Sequence, residues 1–89
     1  MRVKASHILV PTLNEAVTLK AKIDAGESFA DLARVHSKCP SGPLGGDLGE
    51  FGPGQMVPAF EQATHNTPVG QVSQPVQTQF GYHLIHRIA

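Results

Sequence analysis

Glycine and proline interrupt this chain so often that long helices and strands are excluded. Nine glycines and seven prolines fall within 89 residues, and both residue types disfavour the interior of regular elements. They are densest in the segment 38–54, which is long for a connection without a function. A chain of this length can build one hydrophobic core. The sequence therefore predicts a single domain, residues 1–89, made of short elements joined by many turns.

The first two elements follow from residue periodicity. Apolar residues on both faces of Val3–Val10 predict a largely buried strand. Thr12 is a good N-cap for a helix over about Leu13–Ala25, and Gly26 is its expected end. The inward face of this helix is predicted to carry Leu13, Ala16, Val17, Lys20 and Ile23.

The rest of the chain predicts two more helices and three more strands. A second helix follows Ser28, and Pro58 suits the first turn of a third. Asp47–Phe51 reads as a short strand, and the chain ends in a hairpin whose turn is Gln79-Phe80-Gly81. The hairpin pairs Val76–Thr78 with Tyr82–Ile88. The order β-α-α-β-α-β-β indicates an α+β fold with a small antiparallel sheet.

Charge and cysteine content argue against several classes of protein. Seven Lys and Arg residues balance seven Asp and Glu residues, whereas nucleic acids and anionic membranes are bound through excess positive charge. The single cysteine, Cys39, excludes an intramolecular disulfide. No apolar run is long enough to cross a membrane, and no signal peptide is evident. We expect a cytoplasmic monomer that binds neither nucleic acid nor membrane.

Two histidines, His7 and His83, lie within predicted strands. If these strands are neighbours, the two imidazoles can hydrogen-bond to each other without charge, because a neutral imidazole has one donor and one acceptor. Cys39 and Thr78 are candidates to join them. A histidine on a strand is, however, more often a structural residue than a functional one, and this alternative stays open here.

Five segments along the chain carry a more specific signal. In order they are Ala5–Val10 (ASHILV), Phe29–Ala33 (FADLA), Gly45–Phe51 (GGDLGEF), Gly54–Phe60 (GQMVPAF) and Gln79–Ile85 (QFGYHLI). Together they resemble the parvulin family of peptidyl-prolyl cis/trans isomerases over almost the whole chain. The resemblance implies a parvulin-like fold of the FKBP-like superfold, with a four-stranded antiparallel sheet surrounded by helices. It also implies rotation of X–Pro bonds in peptides and folding proteins, with no cofactor and no metal.

The resemblance also implies a set of site residues. The catalytic residues that it implies are His7, Cys39 and His83, which match the polar groups of the parvulin site. The substrate-binding residues are Leu48, Met56, Phe60, Thr78 and Phe80, with Phe51 and Gln79 in support. Phosphate-directed members carry basic residues after the first strand, but here that connection is Pro11–Asn14, without Lys or Arg. We therefore expect substrates that are not phosphorylated.

Three other interpretations compete with an active isomerase. The chain could be a proline-peptide binding module, or a chaperone domain with little activity. Cys39 near histidines could indicate a thiol hydrolase, although no oxyanion-hole motif is evident. The same residues could indicate zinc, but they lack the short paired spacing of zinc ligands.

Overall fold

The fold is built on a four-stranded antiparallel sheet with β1 and β4 at its centre. The computed structural model describes residues 2–89. The strands are β1 (Val3–Val10), β2 (Asp47–Phe51), β3 (Val76–Thr78) and β4 (Gly81–Arg87), in the spatial order β2-β1-β4-β3. The helices are α1 (Leu13–Asp24), α2 (Phe29–His36) and α3 (Pro58–Asn66), with a short 3₁₀ helix at Gly42–Leu44. The predicted fold class and the predicted order of elements are confirmed.

The sheet separates two apolar clusters, because neighbouring side chains on a strand point to opposite faces. On one face, Ile8 and Val10 of β1 pack with Leu84 against α1 and α2. On the other face, the cluster beside α3 consists of Val3, Ala5, Phe51, Phe60 and Ile85. β1 is therefore buried on both faces, as its sequence predicts.

Local signals fix where α1 and α2 begin and where α1 ends. Thr12 Oγ1 accepts the Glu15 N–H at 3.2 Å, and Ser28 Oγ accepts the Asp31 N–H at 3.2 Å. Gly26 adopts φ +102° after α1. The N–H groups of Gly26 and Glu27 donate to carbonyls of the last turn, which is the usual glycine-based end of a helix. α2 follows directly from this turn.

Two details differ from the sequence prediction. In α1, Ala16 and Leu19 are buried, whereas Leu13 and Val17 are about half exposed. α1 carries apolar residues on two sides, and small Ala16 allows the side shared with Leu19 to approach the sheet. The hairpin turn is also shorter than predicted, because Gly81 pairs with Thr78. Gly81 has φ +138°, and a Cβ there would lie 2.7 Å from Val10 O, so only glycine fits this position.

No helix within residues 2–89 is long and apolar enough to cross a lipid bilayer.

Candidate active site

The two strand histidines meet at the centre of the sheet. β1 and β4 are neighbours, and their register places Leu9 opposite His83 and His7 opposite Ile85. The imidazoles are stacked at an interplanar angle of 16°, and their Nδ1 atoms are 3.0 Å apart. His7 is 5% exposed and His83 is 4% exposed. The first and last strands are therefore neighbours, and the hydrogen bond that the sequence analysis made conditional on this arrangement is present.

The pair extends into a hydrogen-bonded chain. His83 Nε2 lies 2.7 Å from Thr78 Oγ1, which also accepts the Phe80 N–H at 3.2 Å. One Nδ1 of the imidazole pair must donate and the other must accept, so the contact suits neutral rings. Burial, with a smaller contribution from His83, lowers the pKa of His7 from 6.5 to about 4. Burial also lowers the pKa of His83. Both imidazoles are therefore neutral at pH 7.

Phe60 of α3 holds the pair from the side. Its ring meets the His7 ring edge-on at 5.4 Å and the His83 ring at 5.1 Å, measured between centroids. Phe51 packs behind Phe60 at a centroid distance of 6.1 Å. His7 Nε2 is buried without a hydrogen-bond partner among residues 2–89. A floor of aromatic rings with one free polar atom results.

A cavity of about 550 Å³ opens above this floor. Seven of the predicted site residues line it: His7, Cys39, Leu48, Met56, Phe60, Phe80 and His83. Leu48 lies where the β1–β2 register shifts, since Ala5 pairs with Gly49 but Ser6 pairs with Asp47. Such irregularities redirect side chains beside active sites. The cavity is predominantly apolar and large enough for a proline ring and its neighbours.

The other predicted residues lie outside the cavity lining. Thr78 acts through its bond to His83 and does not line the cavity. Phe51 lies behind Phe60, and Gln79 is exposed in the hairpin turn. Cys39 lines the cavity, but no hydrogen bond joins its side chain to either imidazole among the described residues. The predicted polar network therefore includes Thr78 and leaves Cys39 as a separate wall residue.

The connection between α2 and β2 brings Cys39 to the histidines. β2 pairs with β1 only as far as Ser6, so the backbone beyond that point needs other partners. His7 N–H donates to Gly46 O at 2.9 Å, and Lys38 N–H donates to Leu9 O at 2.7 Å. Ser37 Oγ accepts the N–H of Leu9 at 3.0 Å and that of Cys39 at 3.4 Å. The connection therefore pairs with β1 where β2 no longer does, and this pairing fixes one wall of the cavity.

Sequence reasoning missed five residues that line this cavity: Leu9, Lys38, Pro40, Gln55 and Val57. Two of them could have been found. Leu9 shares a face of β1 with His7, and Val57 follows Met56. Lys38 and Pro40 flank Cys39, but only the path of the connection shows that they reach the cavity.

A second depression, of about 330 Å³, lies between α1 and the end of α2. Its lining includes Asn14, Glu15, Thr18 and Lys22, and it has no counterpart of the buried histidine pair. Within residues 2–89, no three His, Cys, Asp or Glu side chains are placed to share a metal ion. The apolar cavity is therefore the candidate active site.

Comparisons with known proteins agree with this architecture. The family model for the PPIC-type PPIASE domain, or rotamase, matches residues 7–89. The foldase protein PrsA of Geobacillus sp. (strain WCH70) is 54% identical over 85 residues, which are 94% of this chain and 31% of PrsA. This chain thus spans less than a third of the length of these curated relatives, from 31% of that PrsA to 16% of the chaperone SurA of Nitrosospira multiformis.

Two solved structures extend the comparison to three dimensions. The crystal structure of PrsA from Bacillus anthracis superposes with a TM-score of 0.95 at 48% identity, covering 97% of this chain and 40% of that one. The solution structure of NmPin, the parvulin of Nitrosopumilus maritimus, gives a TM-score of 0.89 at 42% identity, covering 99% of this chain and 96% of NmPin. On the family match, these identities and the shared fold, the chain belongs to the parvulin, or PPIC-type, family of peptidyl-prolyl cis/trans isomerases.

Proposed function

We propose that this chain accelerates cis/trans rotation of X–Pro bonds in unphosphorylated peptides and folding proteins, without a covalent intermediate. The observation that carries the proposal is the apolar cavity above the neutral His7–His83 pair. Met56, Phe60 and Leu48 line it and offer the apolar surface that a proline ring requires. Relatives named foldase and chaperone support folding proteins as substrates.

The physics of the reaction suits such a cavity. Rotation about an amide bond has a barrier of roughly 18–20 kcal/mol, because the planar amide is conjugated. The two ground states of an X–Pro bond differ by only about 0.5–1 kcal/mol, so no energy source is needed. The twisted amide has lost conjugation and carries less charge separation than the planar one. Dry apolar walls therefore favour the twisted state, and each ~1.4 kcal/mol of such preference gives a tenfold rate gain.

Met56→Ala tests where the proline ring binds. Met56 is half-buried and lines the cavity, so its truncation removes apolar wall without touching the histidine pair. Truncation to alanine removes three heavy atoms, and because Met56 is half-buried the lost apolar surface is equivalent to about one to two buried methylenes. We therefore expect kcat/KM to fall about tenfold. The assay is exchange NMR on a panel of X–Pro peptides. Val69→Ala is the matched control, because Val69 is exposed and lies outside the cavity lining.

The same assay decides the main alternative. The names foldase and chaperone also suit a domain that binds proline peptides with little turnover. Chemical-shift changes that saturate with peptide, without faster exchange, would favour that binding module and reject the isomerase. Equal rates for Met56→Ala and Val69→Ala would instead move the proline ring away from this cavity.

Three predictions made from the sequence are part of this proposal: the substrates are unphosphorylated, the protein is a monomer, and it is located in the cytoplasm. Residues 11–14, which comprise the connection after β1 and the start of α1, contain no Lys or Arg to form a phosphate clamp. Strong selectivity for a phosphorylated peptide over its matched unphosphorylated form would refute this prediction. Light scattering, which measures the molar mass in solution, tests the monomeric state. Fractionation of the source cells tests the cytoplasmic location.

A further inference from the structure

Lys38 gives the otherwise uncharged cavity a single charge. Among the described residues that line it, only Lys38 carries an ammonium, guanidinium or carboxylate group. The two imidazoles beneath it are neutral at pH 7, because burial lowers the pKa of both. None of the ion pairs within residues 2–89 involves Lys38. An exposed lysine without an ion-pair partner among these residues therefore lines the cavity. It also borders the second depression, where Glu15 and Lys22 lie.

The backbone of Lys38 is held in place. Its N–H donates to Leu9 O at 2.7 Å. The hydroxyl of the preceding residue, Ser37, accepts the N–H groups of Leu9 and of the following residue, Cys39. The side chain is exposed, and its flexible four-carbon stem lets the ammonium group reach a ligand. The position of the Lys38 backbone is thus fixed by β1, while the ammonium group can adapt to a bound peptide.

We propose that Lys38 makes the site favour an acidic residue directly before the proline. This inference rests on the proposed function, in which Met56 and Phe60 hold the proline ring. The carbonyl of the rotating amide belongs to the preceding residue, so a peptide whose proline ring occupies that end extends its preceding residue along the remaining wall. Cys39 and Lys38 form that wall. A carboxylate there meets an unpaired ammonium group, whereas a lysine meets a like charge.

The expected preference is modest. Exposed ion pairs contribute little because water and salt screen them. Their usual strength corresponds to about a two- to fivefold gain in kcat/KM at low ionic strength. A single ammonium group is not the cluster of cations that clamps a phosphate. The inference therefore concerns a carboxylate preference and leaves the expectation on phosphorylation unchanged.

The test compares peptides that differ only in the residue before proline, with Glu, Gln or Lys at that position. Exchange NMR gives kcat/KM, and chemical-shift titration of the same samples gives Kd. For the unmodified chain we expect the Glu peptide to exceed the Gln peptide about two- to fivefold, with the Lys peptide lowest. The preference should disappear in Lys38→Gln, reverse in Lys38→Glu and weaken as NaCl is added.

Lys4→Gln is the matched control. Lys4 is an exposed lysine on β1, about 16 Å along the strand from Leu9 at the usual rise per residue, and it does not line the cavity. This variant makes the same change in net charge and should keep the Glu preference. Loss of the preference in both variants would attribute it to overall charge and overturn the inference.

The two proposals fail in different ways. Equal values for the Glu and Gln peptides, with all peptides accelerated, would overturn the role of Lys38 and support the isomerase. If no peptide is accelerated, the isomerase proposal fails, and the ratio of Kd values still decides the role of Lys38. A Glu preference that survives in Lys38→Gln would place its origin elsewhere and also overturn the inference.

Discussion

Acidification should destabilise this protein through His7, well above the pH at which carboxylates are protonated. The folded protein keeps His7 neutral down to a pKa of about 4, whereas the unfolded value is 6.5. Between these values the unfolded state binds a proton that the folded state does not. The contribution of neutral His7 to the free energy of unfolding is therefore fully present above pH 6.5 and is lost as the pH falls towards 4. His83 acts in the same direction, because burial also lowers its pKa.

The size of the effect follows from the difference between the two pKa values. Each unit of difference corresponds to about 1.4 kcal/mol, so the His7 contribution at pH 5 is about 2 kcal/mol. Small domains are stable by only about 5–15 kcal/mol. Moving from pH 7.5 to pH 5 should therefore remove a large part of the free energy of unfolding.

Urea denaturation at constant ionic strength, from pH 7.5 to pH 5, measures this loss. His7→Gln is the comparison, because it removes the titrating ring and leaves the other ionisable groups in both proteins. The variant should be less stable at pH 7.5, and the gap should narrow by about 2 kcal/mol by pH 5. Parallel stability curves would refute the reasoning. So would an NMR titration in which the His7 ring of the folded protein protonates near pH 6.5.

Three further predictions concern the walls and the network of the site. Gly46→Ala should be much more destabilising than Gly54→Ala in urea denaturation, by about 3 kcal/mol or more. Both glycines have φ +83°, but a Cβ at Gly46 would lie 2.2 Å from His7 O, and Gly54 faces open space; similar losses would contradict the close approach. Thr78→Val should reduce stability by about 1–3 kcal/mol, because His83 Nε2 loses its partner, and Thr78→Ser should restore most of it. Cys39→Ala should keep a substantial fraction of isomerase activity in exchange NMR, because its side chain makes no hydrogen bond to the histidines; complete loss in a folded variant would argue for covalent chemistry.

Features that depend on interactions between residues close in the sequence were predictable, whereas features that depend on distant residues were not. The starts of α1 and α2 and the end of α1 were predictable, because Thr12, Ser28 and Gly26 act within one helical turn of their own position. The buried face of α1 was not. Leu13 and Val17 form an apolar row, and packing against the sheet, rather than periodicity, selects the row of Ala16 and Leu19. A choice between two apolar rows needs the partner surface, which the sequence of one helix does not contain.

The same distinction applies to the residues of the candidate active site. The pairing of His7 with His83 needed only the assumption that the first and last strands are neighbours. The roles of Ser37 and Lys38 needed the path of the α2–β2 connection across β1. That path depends on backbone hydrogen bonds between segments about thirty residues apart, such as Lys38 N–H to Leu9 O, and no local pattern encodes them.

The glycine and proline content explains why a site can form at this edge of the sheet. β2 is too short to cover the whole of β1, and the N–H and C=O groups of His7 and Leu9 that it leaves unpaired require other partners. A regular strand would supply these partners. At the position of Gly46, however, any residue with a Cβ would collide with His7 O. The interrupted connection pairs with the His7 N–H, the Leu9 N–H and the Leu9 C=O, and it presents Cys39 and Lys38 to the cavity. The interruptions that prevent long regular elements are thus the condition for an open, charged wall beside the buried histidines.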